Sequence, residues 1–337
     1  MTSSAPRRVL VTGAAGLIGR AVLADLAARG VPATALVLDK TDDRTDDLPD
    51  NRTDNRTDNQ TDNRIDDRTD NRTDNQTDNR GNDEADDRVA DLPADRVVTG
   101  DAGDPETVRS ALVGVDAVVH LAAIPAPTLD TPQGVFTRNT RATFAVLEQA
   151  GLAGVRRTVV ASSFSVTGLP WAEVELHPAY VPVDERLPLQ VTDAYALGKQ
   201  ADEATVEMMA RRHGGCIVAL RLPFVGHHDD RLAHRAAELA EDPGVGARDL
   251  WSYLDVRDAA RACWLGLTRP GPGAHVVFVA ADDTLAPFPT AELLDRYHPD
   301  VPRRADLPGR RSLIDTQAAR ELLGFQPEHR FLADPAP

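Results

Sequence analysis

Arg8-Val9-Leu10-Val11-Thr12-Gly13-Ala14-Ala15-Gly16-Leu17-Ile18-Gly19 is the stretch that decides the fold. An apolar run ends in glycines spaced G-x-x-G-x-x-G, and the glycines open a helical pattern from Leu17 to about Arg29. A strand, a glycine turn and a helix start in that order offer unpaired amides and a positive dipole end to a pyrophosphate. Gly13 permits the tight turn, Gly16 lets amides approach a phosphate, and Gly19 lets the helix pack on the strand. Gly13, Gly16, Leu17, Ile18 and Gly19 are therefore the first candidate binding residues. The first gap is one residue longer than in the usual dinucleotide fingerprint, and a purely structural turn is the competing reading.

Working outward, strand and helix patterns alternate. A second strand, Ala33 to Leu38, ends at Asp39. An acid there accepts hydrogen bonds from an adenosine ribose and repels a 2′-phosphate, which favours NAD over NADP. Lys40 and Arg20 stand ready for such a phosphate, so NADP stays open. Arg96-Val97-Val98-Thr99 is the third strand, followed by Gly100-Asp101-Ala102, where Asp101 suits an adenine edge or a plain turn. Asp104-Pro105-Glu106 starts a helix, with a capping acid and proline at its first position. The fourth strand, Asp116 to Ala123, ends in small residues that let a flat cofactor lie against it, and His120 reads as packed within it. A helix from about Gln133 to Ala150 contains Asn139. The fifth strand, Arg157 to Ala161, runs into Ser162-Ser163-Phe164-Ser165. Thr192 or Asp193 then caps a helix to about Arg212, on which Tyr195 and Lys199 share one face. The alternation predicts an α/β protein with a Rossmann-type doubly wound parallel sheet, ligands lying beyond the carboxyl ends of its strands. Residues 1–225 form that domain, interrupted at about 41–92. Residues 226–337 form a small C-terminal substrate lobe, with 250–268 returning to the first domain.

The interruption is compositionally foreign. Residues 41–80 read as ten tetrads of the type TDNR, almost without apolar side chains. Such a segment buries too little surface to offset its ordering entropy, so disorder is expected. Residues 41–88 hold 17 acidic and 8 basic side chains and so carry −9 of the net charge of −16. The acidic balance argues against nucleic acid and anionic membranes as partners. Two cysteines, Cys216 and Cys263, make no disulfide framework. No apolar run reaches the ~18–20 residues that span a bilayer. The short apolar stretch after Arg7-Arg8 is read as the first strand rather than a secretion signal, so a cytoplasmic location is expected. His227-His228-Asp229 lacks the spacing of a metal site, and no metal is expected.

Ser163, Tyr195 and Lys199 form a chemical set. A tyrosine is a poor base at neutral pH; a lysine one turn away favours its phenolate, and a serine hydroxyl holds a substrate oxygen. The set suits proton removal from an alcohol while hydride leaves for a nicotinamide, and the reverse. On Thr12-Gly13-x-x-Gly16-x-x-Gly19, Asp39, Asp101, His120-Leu121-Ala122-Ala123, Asn139, Ser162-Ser163, Tyr195-x-x-x-Lys199, Arg221-Leu222-Pro223, Tyr253-Leu254-Asp255-Val256-Arg257-Asp258 and Leu323-Gly324-Phe325-Gln326-Pro327, the chain resembles an extended short-chain dehydrogenase/reductase of the NAD-dependent epimerase/dehydratase group. The resemblance implies Tyr195 as general acid/base, Lys199 lowering its pKa and holding the nicotinamide ribose, Ser163 on the reacting oxygen and Asn139 supporting the Lys199 relay. It implies Asp101, Ala102, Leu121, Ala122, Ala123, Ser162 and Pro223 as further cofactor contacts, and Ser163, Phe164, Ser165 and Phe224 at the substrate. It is also compatible with a homodimer through the helices at 133–150 and 193–212.

The departures narrow the function. Dehydratases of the group resemble Thr-Asp-Glu where this chain has Ser163-Phe164-Ser165, so dehydration lacks its acid and base. Nucleotide-sugar epimerases carry an asparagine where Phe224 stands and often a tyrosine where Thr167 stands. Compact uronate-type dehydrogenases carry Asn-His where this chain has Phe164-Ser165. The reading is an NAD(P)-dependent oxidoreductase acting on a secondary alcohol or carbonyl of a small sugar-like molecule. An NAD-retaining sugar or nucleotide-sugar epimerase is the alternative within the class. A non-catalytic NAD(P)-sensing protein is the alternative outside it.

Overall fold

The structure, a computed structural model, describes residues 5–38 and 91–331. Asp39, Lys40 and the tetrads lie outside the described residues. So do the cofactor preference drawn from Asp39 and the disorder expected of the repeat.

The elements run β1 (Val9–Thr12), α1 (Leu17–Ala28), β2 (Ala33–Val37), β3 (Arg96–Thr99), α2 (Pro105–Ala111), β4 (Ala117–His120), α3 (Pro132–Leu152), β5 (Arg157–Ser163) and α4 (Ala194–His213). They continue as β6 (Cys216–Leu222), β7 (Phe224–Gly226), α5 (Ala233–Glu241), β8 (Tyr253–Asp255), α6 (Val256–Thr268), β9 (Gly273–Phe278), α7 (Thr290–Tyr297) and α8 (Gln317–Leu323). Among the described residues, seven parallel strands form one sheet in the order β3-β2-β1-β4-β5-β6-β9. The chain steps outward from β1 in one direction and from β4 in the other. The crevice at their carboxyl ends is therefore the switch point where open α/β sheets bind ligands.

The strands β1, β2, β4 and β6 are short and buried on both faces, as a helix-covered parallel sheet requires. In β1, Val9 and Val11 face α1 and α6, while Leu10 joins the layer of α2 and α3. α1 buries Gly19, Val22, Leu23 and Leu26, one stripe of a helix. The caps are the ones the sequence predicts. Asp104 accepts from the amides of Glu106 and Thr107, and Asp193 accepts from that of Ala196.

A second core sits beside the sheet, built around Trp251, Tyr253, Phe278, Leu285 and Leu313. The small pair β7 and β8 supports it. Within 250–268, α6 packs on α1. The chain returns further than the sequence reading had it. β9 adds the edge strand beside β6, and Leu323 and Phe325 are buried in the main core. Leu92 is buried in that core too.

Candidate active site

The turn after β1 is shaped for close approach. Gly13 has φ +63°, and a Cβ there would lie 2.8 Å from the Ala122 amide nitrogen and Leu121 carbonyl carbon. A Cβ on Gly19 would lie 2.3 Å from the Gly13 carbonyl oxygen. Turn and helix touch through bare backbone. Gly16 caps α1 with no side chain, which leaves the amides of Leu17, Ile18 and Gly19 without intrahelical partners. A cradle with free amides and no acid in the first turn of α1 fits a dinucleotide pyrophosphate.

β4 is locked to β1 by one hydroxyl. Thr12 Oγ1 accepts from the amides of Leu121 and Ala122, both at 3.2 Å, and lies 2.8 Å from His120 Nδ1. His120 Nε2 lies 3.2 Å from Thr143 Oγ1 on α3. Burial, with Lys199 nearby, pushes the His120 imidazole down to about 3, so it is neutral. Ala123 is exposed at the end of this segment. Asp101 accepts from the Gly103 amide and stands 3.7 Å from Arg141, while Ala102 is buried. Pro223 sits between β6 and β7.

β5 delivers Ser162 and Ser163 to different tasks. Ser162 is buried and donates to Glu203 Oε1 at 2.6 Å. Glu203 also accepts two bonds from Arg221, at 2.9 and 2.8 Å. Ser163 Oγ accepts from the Ser165 amide and caps the short 164–167 turn, leaving its own proton to donate. α4 packs against that turn and brings Tyr195 and Lys199 with it. The Lys199 ammonium lies 5.9 Å from the Tyr195 ring centre. Lys199 is buried, donates to the Ala161 carbonyl at 2.8 Å and pairs with Asp202 at 3.3 Å. Burial works against its charge, but Asp202, with Tyr195 and Glu203 adding, outweighs it and holds the ammonium above the usual lysine value.

Asn139 is buried on α3. Its amide oxygen accepts from the Ile124 amide at 2.7 Å, and its amide nitrogen donates to the Ile124 carbonyl at 3.0 Å. The side chain pins the loop after β4. Phe164 is 3% exposed and packs on Phe278, as a member of the second core. Ser165 is buried and accepts from the Trp171 indole, which is itself exposed. Phe224 is half-buried beneath the Arg231 guanidinium. Arg235 pairs with Glu238 and Asp249. Asp202, Glu203 and Thr143 were missed by the sequence reading. The i, i+3 spacing of Lys199 and Asp202 was the one signal available.

A switch-point crevice under a glycine turn, with a tyrosine and a lysine on the helix facing it, defines an α/β protein built to hold a dinucleotide. The chain belongs to the NAD-dependent epimerase/dehydratase family, whose model matches residues 9–280. It is thus an NAD-dependent enzyme of that family. It is 31% identical over 236 residues to a UDP-glucose 4-epimerase of Mycolicibacterium smegmatis, covering 63% of this chain and 71% of the relative. It is 25% identical over 191 residues to a uronate dehydrogenase of Pseudomonas putida, covering 57% of this chain and 62% of the relative. Its fold matches a short-chain dehydrogenase/reductase superfamily protein of Agrobacterium tumefaciens solved with bound NAD. That match has a TM-score of 0.61 and 22% identity, covering 96% of this chain and 93% of the other. No helix among the described residues is long and apolar enough to cross a membrane.

Proposed function

We propose that the protein moves a hydride between NAD and the carbinol carbon of a small sugar-like substrate, with Ser163, Tyr195 and Lys199 as its working residues. The observation that carries this is the placement of Tyr195 and the Lys199 ammonium, 5.9 Å from ring centre to nitrogen, on the helix packed against the turn that Ser163 caps. Bound NAD supplies the hydride acceptor in the oxidative direction. Ser163 donates to the substrate oxygen and holds it toward Tyr195. The Tyr195 phenolate takes the hydroxyl proton as the carbonyl forms, and returns it in reduction. The Lys199 charge favours that phenolate. Leu17, Ile18 and Gly19 amides hold the pyrophosphate. Phe224 and Arg231 border the substrate side, and Ser163-Phe164-Ser165 offers no carboxyl group for dehydration.

A second reading, an epimerase that oxidises and re-reduces one carbon while retaining NAD, is favoured by the similarity to the mycobacterial epimerase. Mass and absorbance spectra of the purified protein after denaturation separate the two. Free exchange of NAD, with NADH formed from sugars or sugar acids, is the expected result. Stoichiometric retained NAD, with no net NADH formed, would favour the epimerase. NAD binding without turnover on either class, unchanged by Tyr195→Phe, would sink both readings.

A further inference from the structure

The chain contains two lysines, Lys40 and Lys199, and meets its other needs for positive charge with arginine. The lysine kept at 199 is buried, and a buried ammonium loses its proton readily unless a counter-charge faces it. Tyr195, Asp202 and Glu203 face it from α4, the Ala161 carbonyl from β5, and neutral His120 from β4. Glu203 is already engaged by Ser162 and by both prongs of Arg221. Asp202 is 1% exposed, its Oδ2 lies 3.3 Å from the Lys199 ammonium, and its Oδ1 has no hydrogen-bond partner among the described residues; burial raises its carboxyl above the usual value, and the Lys199 charge is the largest influence opposing that.

The residues behind Asp202 fix this arrangement. Thr12 Oγ1 accepts two amides, so its proton goes to His120 Nδ1. The neutral imidazole then donates from Nε2 to Thr143 Oγ1, and the Thr143 hydroxyl favours the carboxylate form of Asp202. A neutral imidazole brings no rival positive charge to the carboxylate. The hydrogen bonds thus run in one direction, from Thr12 at the glycine turn through His120 to Thr143.

We propose that Asp202 is a positioning residue, the buried counter-charge that keeps Lys199 an ammonium and anchors it beneath the Ala161 carbonyl, where it serves Tyr195. The proposal rests on the Ser163/Tyr195/Lys199 reading above, but its test does not need turnover. With two lysines in the chain, isotope-labelled lysine gives two side-chain NMR signals, and Lys40→Arg assigns them. In the wild type the Lys199 signal stays that of an ammonium through neutral and mildly alkaline pH. In Asp202→Asn its titration falls by about two pH units or more, since a unit charge at contact distance is removed from a buried site. Asp202→Glu keeps the charge and leaves the titration within about half a unit of wild type. Asp202→Ser removes the charge with a smaller side chain and must shift the same way, which covers a misfolded asparagine variant. In NADH formation, the alkaline limb of kcat moves to lower pH in Asp202→Asn, with the substrate KM unchanged. A folded Asp202→Asn or Asp202→Ser whose Lys199 titrates with the wild type overturns the proposal. Failure of the oxidoreductase reading would show separately, as wild-type protein that forms no NADH.

Discussion

Replacing Gly19 by alanine tests the link between the glycine turn and the cofactor. The new methyl would lie 2.3 Å from the Gly13 oxygen and 2.8 Å from both Cα and the carbonyl oxygen of Ala14. Each of these is main chain, so no side chain can swing aside. Turn and helix must separate by a good part of an ångström. Overpacking of this kind costs about 1–3 kcal/mol, and alanine's better helix propensity returns up to about 1 kcal/mol. The net loss is about 1–2 kcal/mol, seen as a fall in Tm of about 2–8 °C. NAD affinity falls further, by about tenfold or more, because the displaced amides are the ones proposed to hold the pyrophosphate. Gly30→Ala is the control. Gly30 has φ +68° and nothing within 4 Å of an added Cβ, so it loses about 1–2 kcal/mol to the left-handed backbone alone. Thermal melting and calorimetric NAD titration of both variants give the comparison. The expected pattern is similar destabilisation, with weak NAD binding in Gly19→Ala only. Wild-type affinity in Gly19→Ala would refute the cradle.

Tyr195→Phe is expected to lower kcat by about 10²–10⁴-fold with NAD affinity unchanged, measured by NADH formation and by titration. Arg221→Leu leaves Glu203 buried without its cation and is expected to cost about 3–5 kcal/mol in urea unfolding, since breaking one side of a buried pair strands the other. His120 is neutral in the fold, with its pKa depressed to about 3, while the unfolded chain protonates near 6.5. Between those values the unfolded state binds the extra proton. Stability from this group is therefore full above the unfolded value and falls by about 1.4 kcal/mol per pH unit as pH drops. Urea unfolding across that window is expected to show a shallower pH slope in His120→Gln than in the wild type.

Much of the sheet was legible because its signals are local. Val9 to Gly19 carries strand, turn and helix start within one stretch, and Asp104-Pro105 and Asp193 mark helix starts by their capping chemistry. The seventh strand was not legible. Gly273 to Phe278 is short, follows Pro270-Gly271-Pro272-Gly273, and owes its place to pairing with β6, more than fifty residues earlier. The site divides in the same way. Tyr195 and Lys199 are singled out in sequence by their i, i+4 spacing, and both lie on α4. Asp202 and Glu203 look like a solvated acidic pair in sequence, yet both are buried, because Lys199 and Arg221 meet them in three dimensions. Asn139 was placed by resemblance to a relay. Its amide is occupied by the Ile124 backbone, which no spacing along the chain reveals.

The path of the chain after β6 limits how this protein can be divided. It enters the second core, comes back as α6, adds β9 to the main sheet, leaves again through α7, and returns to bury Leu323 and Phe325. Asp258 on α6 then accepts from the amides of Glu328 and His329 and ties the tail down. The second core is therefore no detachable cassette. Exchanging it for that of a relative means matching several seams at once: a strand edge, a helix face and a tail. On the proposed function, new specificities are more readily reached by point changes at Phe224 and Arg231 than by recombination of whole lobes.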